Sequence, residues 1–158
     1  MAYMRLCDLL PELAKKETRT ITALDCNAHD IPPGKYSFIE MYCSDKDCDC
    51  RRVFIMVMSS VTQRPVAVIV FGWESLEYYA EWYFGKLVDV SKLRGLDDYT
   101  IKFLKGPCLD DGSEQSDMAP AILKMAVDEL FSNKAYVDRL KQHYKEFRSK
   151  VDGNHRSR

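Results

Sequence analysis

Three of the chain's six cysteines lie in one short stretch, residues 42–52, which reads YCSDKDCDCRR. Cys43, Cys48 and Cys50 have the spacing C-x4-C-x-C, which brings three thiols to one loop. Zinc in a structural site takes four ligands, usually cysteine sulfur and histidine nitrogen in a tetrahedron. The stretch therefore predicts a zinc site with three cysteine ligands. The spacing is not one of the common zinc patterns, so free thiols and thiol redox chemistry stay open as alternatives.

A fourth ligand has to come from another part of the chain, and the candidates are His143, Cys26, His29 and Cys108. His143 lies three residues after Leu140 and four before Phe147, so it points along the apolar stripe of a predicted helix. A buried imidazole needs partners for its ring nitrogens. A metal ion would supply one, and so would a backbone carbonyl, so both interpretations of His143 are open at this point.

Other chemistry finds little support in the sequence. Asp45, Asp47 and Asp49 resemble the opening of a calcium loop, but that loop needs glycine at its sixth position and glutamate at its twelfth. Cys50 and Met56 stand there instead, so calcium is excluded. The chain has no phosphate-binding glycine loop, no serine elbow and no zinc-deaminase signature. Whether the protein is an enzyme is therefore left undecided.

Composition places the chain among ordinary globular proteins, with 46% hydrophobic residues, 30% charged residues and a net charge of −1. No apolar run reaches the ~20 residues of a membrane span, and residues 1–20 lack the pattern of a signal peptide. We expect a cytoplasmic protein with no membrane association, in which clustered thiols bind metal more readily than they form disulfides. Residues 139–158 carry seven Lys or Arg against two acids, a basic end that we interpret mainly as a solvated helix face.

Periodicity indicates an α+β fold. Residues 18–24, 35–43, 52–60 and 66–71 have strand character, and their short connections predict an antiparallel meander sheet of about four strands. Helices are predicted over residues 8–16, 76–84, 118–131 and 134–151, packed on that sheet. Residues 99–104 have the composition of a further short strand. We expect one domain over residues 1–151, followed by a disordered basic tail over 152–158.

The stretch YCSDKDCDCRRVFIMV, with FGWES, KGPCLD and LKQHY further along, resembles a family of uncharacterised bacterial proteins. That family shares a YC-x4-CDCRRV cysteine core, a GWES turn and a His-Tyr pair in the last helix. The resemblance spans residues 20–147 and implies that Cys43, Cys48, Cys50 and His143 belong to the shared pattern. Cys26 and Cys108 do not, which favours His143 as the fourth ligand and leaves Cys26 as the next candidate. The family implies no particular activity.

We therefore predict a small zinc-binding domain, with a structural site in an interaction module that binds a protein partner. If His143 is the fourth ligand, the last helix has to dock beside the cysteine loop. The alternative is a metal- or thiol-dependent enzyme that uses the same cysteine cluster. A second alternative is weak nucleic-acid binding through the basic C-terminal end, which the net charge disfavours.

Overall fold

The computed structural model of the chain describes residues 2–153, leaving out the side chain of residue 90. The strands are β1 (Tyr3–Arg5), β2 (Arg19–Ala23), β3 (Gly34–Cys43), β4 (Arg52–Ser59), β5 (Pro65–Gly72) and β6 (Cys108–Leu109). The helices are α1 (Leu6–Leu9), α2 (Pro11–Glu17), α3 (Leu76–Phe84), α4 (Asp98–Lys105), α5 (Ala119–Ala126) and α6 (Lys134–Gly153). A 3₁₀ helix covers Val90–Gly95, and a π-helical turn continues α5 over Val127–Phe131.

All six strands form one antiparallel sheet in the order β1-β3-β4-β5-β6, and β2 also pairs with β3. Both β1 and β2 lie along the same edge of β3, β1 opposite its last residues and β2 opposite its first. Strands β3, β4 and β5 follow each other as a meander. The predicted α+β class with an antiparallel meander sheet is therefore confirmed, with short strands added at the edges.

One face of the sheet carries the main hydrophobic core. Alternate residues of β3 point to this face, and Tyr36, Phe38 and Tyr42 are completely buried there. Matching residues of β4 and β5 join them, and apolar residues of α5 and α6 cover the face. The opposite face of β4 carries Arg52 and Phe54, which lie on the side of the sheet where α4 packs. The cysteine loop connects β3 to β4 at one end of the sheet.

The structure corrects several predicted elements. Residues 99–104 are part of helix α4 and not of a strand, because Asp97 caps the helix by accepting a hydrogen bond from the Thr100 amide. The predicted helix over residues 8–16 is two short helices that meet at Leu10. Helix α6 runs to Gly153, so the first two residues of the predicted tail are helical, and residues 154–158 lie outside the described part of the chain. No helix of the described residues is long and apolar enough to cross a membrane.

Candidate metal centre

The sulfur atoms of Cys43, Cys48 and Cys50 all lie within 4.8 Å of one another. Sulfurs bound tetrahedrally to one zinc ion at ~2.3 Å are about 3.8 Å apart, so a small inward shift of the side chains would make a metal site. Cys43 and Cys50 are completely buried, and Cys48 is partly exposed. Within residues 2–153, no other group of three His, Cys, Asp or Glu ligands is close enough to hold a metal ion.

The electrostatics of the two buried thiols, Cys43 and Cys50, disfavour nucleophilic chemistry. Burial raises the pKa of Cys43 to about 11 and that of Cys50 to about 12, and the adjacent Cys48 adds to both shifts. The backbone amides of Asp45 and Arg52 hydrogen-bond the Cys43 and Cys50 sulfurs respectively, which lowers these pKa values in part. Without a metal the two buried thiols are protonated near neutral pH, and such thiols are poor nucleophiles. A cation that binds all three sulfurs has to displace their protons.

Helix α3 holds the second half of the cysteine loop through two tyrosines. The Tyr78 hydroxyl donates a hydrogen bond to the backbone carbonyl of Asp49, and the Tyr79 hydroxyl donates one to the carbonyl of Arg51 at 2.6 Å. The Arg51 guanidinium also lies 4.9 Å from the centre of the Tyr78 ring. Both hydroxyls therefore fix the backbone of the loop.

Helix α6 holds the first half of the loop, chiefly through Arg148. Its Nη1 donates to the carbonyls of Cys43 and Asp45, each at 2.9 Å. Its Nη2 donates to Asp152 at 2.5 Å, and Asp152 in turn accepts a bond from the Asp47 amide at 3.3 Å. Because Arg148 is only 8% exposed, this member of the basic C-terminal end faces the cysteine loop and not a solvent-borne phosphate.

A third residue of α6, Tyr144, completes this contact. Its hydroxyl lies 3.4 Å from both the Cys48 carbonyl and the Arg51 amide. Tyr144, Arg148 and Asp152 are spaced four residues apart, so they lie on one face of the helix. That spacing is visible in the sequence, and it is the signal that could have identified these residues. The last helix does dock beside the cysteine loop, through these three side chains.

His143 does not join the cysteine cluster, so the prediction that it is the fourth ligand is corrected. Its imidazole is 2% exposed, and both ring nitrogens contact carboxylates. The Nδ1 atom lies 2.7 Å from Glu40, and the Nε2 atom lies 3.0 Å from Glu17. Glu40 also accepts a hydrogen bond from the Tyr42 hydroxyl at 2.6 Å. The partners that a buried imidazole needs are supplied by two acids, which leaves no ring nitrogen for a metal.

The other candidates for the fourth ligand are also elsewhere in the molecule. Cys26 is exposed in the loop between β2 and β3, and Cys108 begins strand β6. The His29 ring lies near Asp128, with 3.9 Å between Nδ1 and the carboxylate. The cysteine cluster of the described residues thus offers three protein ligands, all from residues 43–50. Burial raises the pKa of the Tyr3 phenol, and the charges of all three cysteines raise it further, so Tyr3 lies near the cluster.

Comparison of the chain with protein-family models, with curated proteins and with solved structures gives no match. The resemblance to the bacterial family with the YC-x4-CDCRRV core stays a prediction.

Proposed function

We propose that this protein is a zinc-binding domain in which Cys43, Cys48 and Cys50 hold the metal. In this proposal the zinc is structural, and the domain serves as an interaction module for another protein. The observation that carries the proposal is the approach of the three sulfurs to within 4.8 Å of one another at the end of a β-hairpin. Zinc suits three clustered thiolates, since it is borderline-soft and accepts cysteine sulfur in a tetrahedral site.

A structural role is supported by the way in which the loop is held. Side chains from α3 and α6 bind the backbone carbonyls of Cys43, Asp45, Asp49 and Arg51. These contacts fix the loop from outside, while two of the three sulfurs are completely buried. A metal bound there would link β3 to β4 within a loop that is already positioned, so little conformational entropy would be lost on binding.

A metal-dependent enzyme is the second candidate, and the ligand count favours it. Three protein ligands leave one position of a tetrahedral zinc site for water or another molecule, which is the arrangement of catalytic zinc sites. The partly exposed Cys48 borders a surface cavity of about 410 Å³ that is also lined by Tyr144, Arg148 and Asp152. An exogenous molecule could reach the metal from that side.

The two candidates are separated by cobalt substitution of the purified protein. We expect about one zinc per chain by elemental analysis, and Co²⁺ in its place should give the absorption of tetrahedral thiolate coordination. If a fourth ligand closes the site, as a structural role requires, adding imidazole or azide should leave that spectrum unchanged. A spectral change at saturating ligand would instead favour the enzyme. Trace metal content together with three freely titrating thiols would exclude both.

A matched pair of variants identifies the ligands in the same experiment. The Cys48→Ser variant should lose the cobalt spectrum, whereas Cys26→Ser, a change at an exposed cysteine outside the cluster, should keep it. Loss of the spectrum in the Cys26→Ser protein would make Cys26 the fourth ligand and would overturn the arrangement proposed here.

A further inference from the structure

A large cavity of the described residues lies on the face of the sheet opposite the main core. Its volume is about 780 Å³, which is within the range of ~300–1,000 Å³ that small-molecule sites occupy. Its walls come from the sheet, from α4 and α5 and from the segment that joins α4 to β6. The apolar lining residues include Phe54, Val70, Tyr99, Phe103, Leu109 and Leu123.

Two aromatic residues at this cavity are strongly exposed for their size. Tyr99 is 72% exposed and Phe103 is 51% exposed, and both belong to α4, one turn apart. Large exposed apolar groups that border a concave site are typical of binding surfaces. Covering them with the apolar part of a ligand would remove apolar area from water and so favour binding.

Arg52 supplies a buried positive charge in the same cavity. The residue is 3% exposed, and its guanidinium lies 4.7 Å, 5.6 Å and 5.2 Å from the ring centres of Tyr79, Trp82 and Tyr83. Its Nη1 donates to the Tyr83 hydroxyl at 2.8 Å, and its Nη2 donates to the Leu104 carbonyl at 2.5 Å. All of these partners are neutral.

No carboxylate in the described part of the chain pairs with this guanidinium, and its Nε has no hydrogen-bond partner there. A buried charge is costly unless it is paired. The acids that line the cavity do not fill this role, because Asp111 is exposed and Asp110 accepts a hydrogen bond from Ser113 at 2.5 Å. Arg52 is therefore a buried cation with donor capacity to spare, at the wall of a large apolar cavity.

We propose that this cavity binds an amphiphilic acid, a molecule with one anionic head and an apolar body. The head would pair with Arg52, which is well suited to carboxylates because its planar guanidinium donates in a fork. The body would lie along the apolar walls and cover Tyr99 and Phe103. This site is independent of the proposed zinc function, since none of the three cysteines lines the cavity.

The test compares decanoate with decanol, which share an apolar chain and differ in the charge of the head. Isothermal titration calorimetry on the full chain should show one decanoate per molecule, bound at least tenfold more tightly than decanol. In the Arg52→Gln variant the decanol affinity should stay within about twofold of the native value, and the preference for decanoate should disappear. The unchanged decanol affinity would show that the cavity is intact in the variant.

A second variant covers the case in which Arg52→Gln does not fold. Leu123→Trp places bulk into the cavity from α5 without touching Arg52, and it should abolish binding of both compounds at an unchanged melting temperature. Equal affinities of the native protein for the acid and the alcohol would overturn the proposal. So would undetectable binding of both compounds, or decanoate binding that survives Leu123→Trp.

Discussion

At the scale of single residues, His143 shows how a buried charge is accommodated in this fold. Burial of the imidazole acts to lower its pKa, but the hydrogen bonds and charges of Glu40 and Glu17 outweigh it, and the net effect raises the pKa. The acids come from different elements, Glu40 from β3 and Glu17 from α2. A protonated His143 therefore ties both elements to α6.

This arrangement makes the stability of the fold depend on pH. Because the folded-state pKa of His143 is raised, its contribution should be complete below the ordinary value of about 6.5 and should be lost as the pH rises through the folded-state pKa. The His143→Gln variant should therefore be destabilised more at pH 6 than at pH 9, relative to the native protein. Urea unfolding at both pH values measures the difference.

The same variant also tests whether His143 is a ligand of the metal. His143→Gln should retain the zinc content of the native protein, since both imidazole nitrogens contact carboxylates. Loss of zinc from this variant would restore His143 as a ligand. A destabilisation that is equal at pH 6 and pH 9 would show that the folded-state pKa of His143 is not raised.

A second residue-scale prediction concerns the cysteines. Cys48→Ser should lower the free energy of unfolding by about 2–3 kcal/mol at saturating zinc, because metal-binding free energy is also folding free energy. Cys7→Ser should change it by no more than about 0.5 kcal/mol, since Cys7 is exposed and lies outside the cluster. Thermal melts of both variants in zinc-containing buffer test this. Equal melting temperatures would contradict a metal role for Cys48.

For His143, the sequence predicts burial but not the partners of the side chain. Helical spacing from Leu140 and Phe147 predicted that the side chain points inward, and it is buried. Periodicity carries no information on the partner, and Glu40 lies 103 residues away in the chain. The cysteine cluster was predictable because its three members are neighbours in sequence.

At the scale of elements, long periodic segments were predicted well and short ones were not. Helix α3 was predicted with its observed bounds, because Ser75 caps it and Gly85 ends it. Strands β1 and β6 have three and two residues, too few to show a period in the sequence. They form because the longer strands β3 and β5 offer edges with which they pair. Helix α4 was mistaken for a strand because a short apolar run does not distinguish the two by composition.

The contact of α6 with the cysteine loop gives a prediction at this scale. Arg148→Met should lower the free energy of unfolding by about 3 kcal/mol, since it leaves the carbonyls of Cys43 and Asp45 without their donor. Lys150→Met, an exposed change on the same helix, should cost no more than about 0.5 kcal/mol. Urea denaturation compares the two. A small effect of Arg148→Met would mean that α6 is not what holds the loop.

At the scale of the whole molecule, the cysteine cluster and the hydrophobic core are separate. The core fills one face of the sheet between β3, β4, β5 and the helices that cover them, and none of the three clustered cysteines belongs to it. The cluster lies at the end of the β3–β4 hairpin, where Cys43 is the last residue of β3, and the large cavity lies on the other face. Three features with different chemistry thus share one sheet, and the cavity meets the margin of the core at Leu109 and Leu123.

This separation predicts how the protein responds to metal removal. Zinc at about 100 times its dissociation constant would add ~2.7 kcal/mol to the stability, or about 5–10 °C in melting temperature for a domain of this length. A chelator should therefore lower the melting temperature by that amount. The far-ultraviolet circular dichroism at 25 °C should stay unchanged, because the core stays folded without the metal. The Cys48→Ser protein should melt at the same temperature with and without chelator. If the native protein unfolds at 25 °C on chelation, the core depends on the cysteine loop. If its melting temperature does not change on chelation, no metal contributes to its stability.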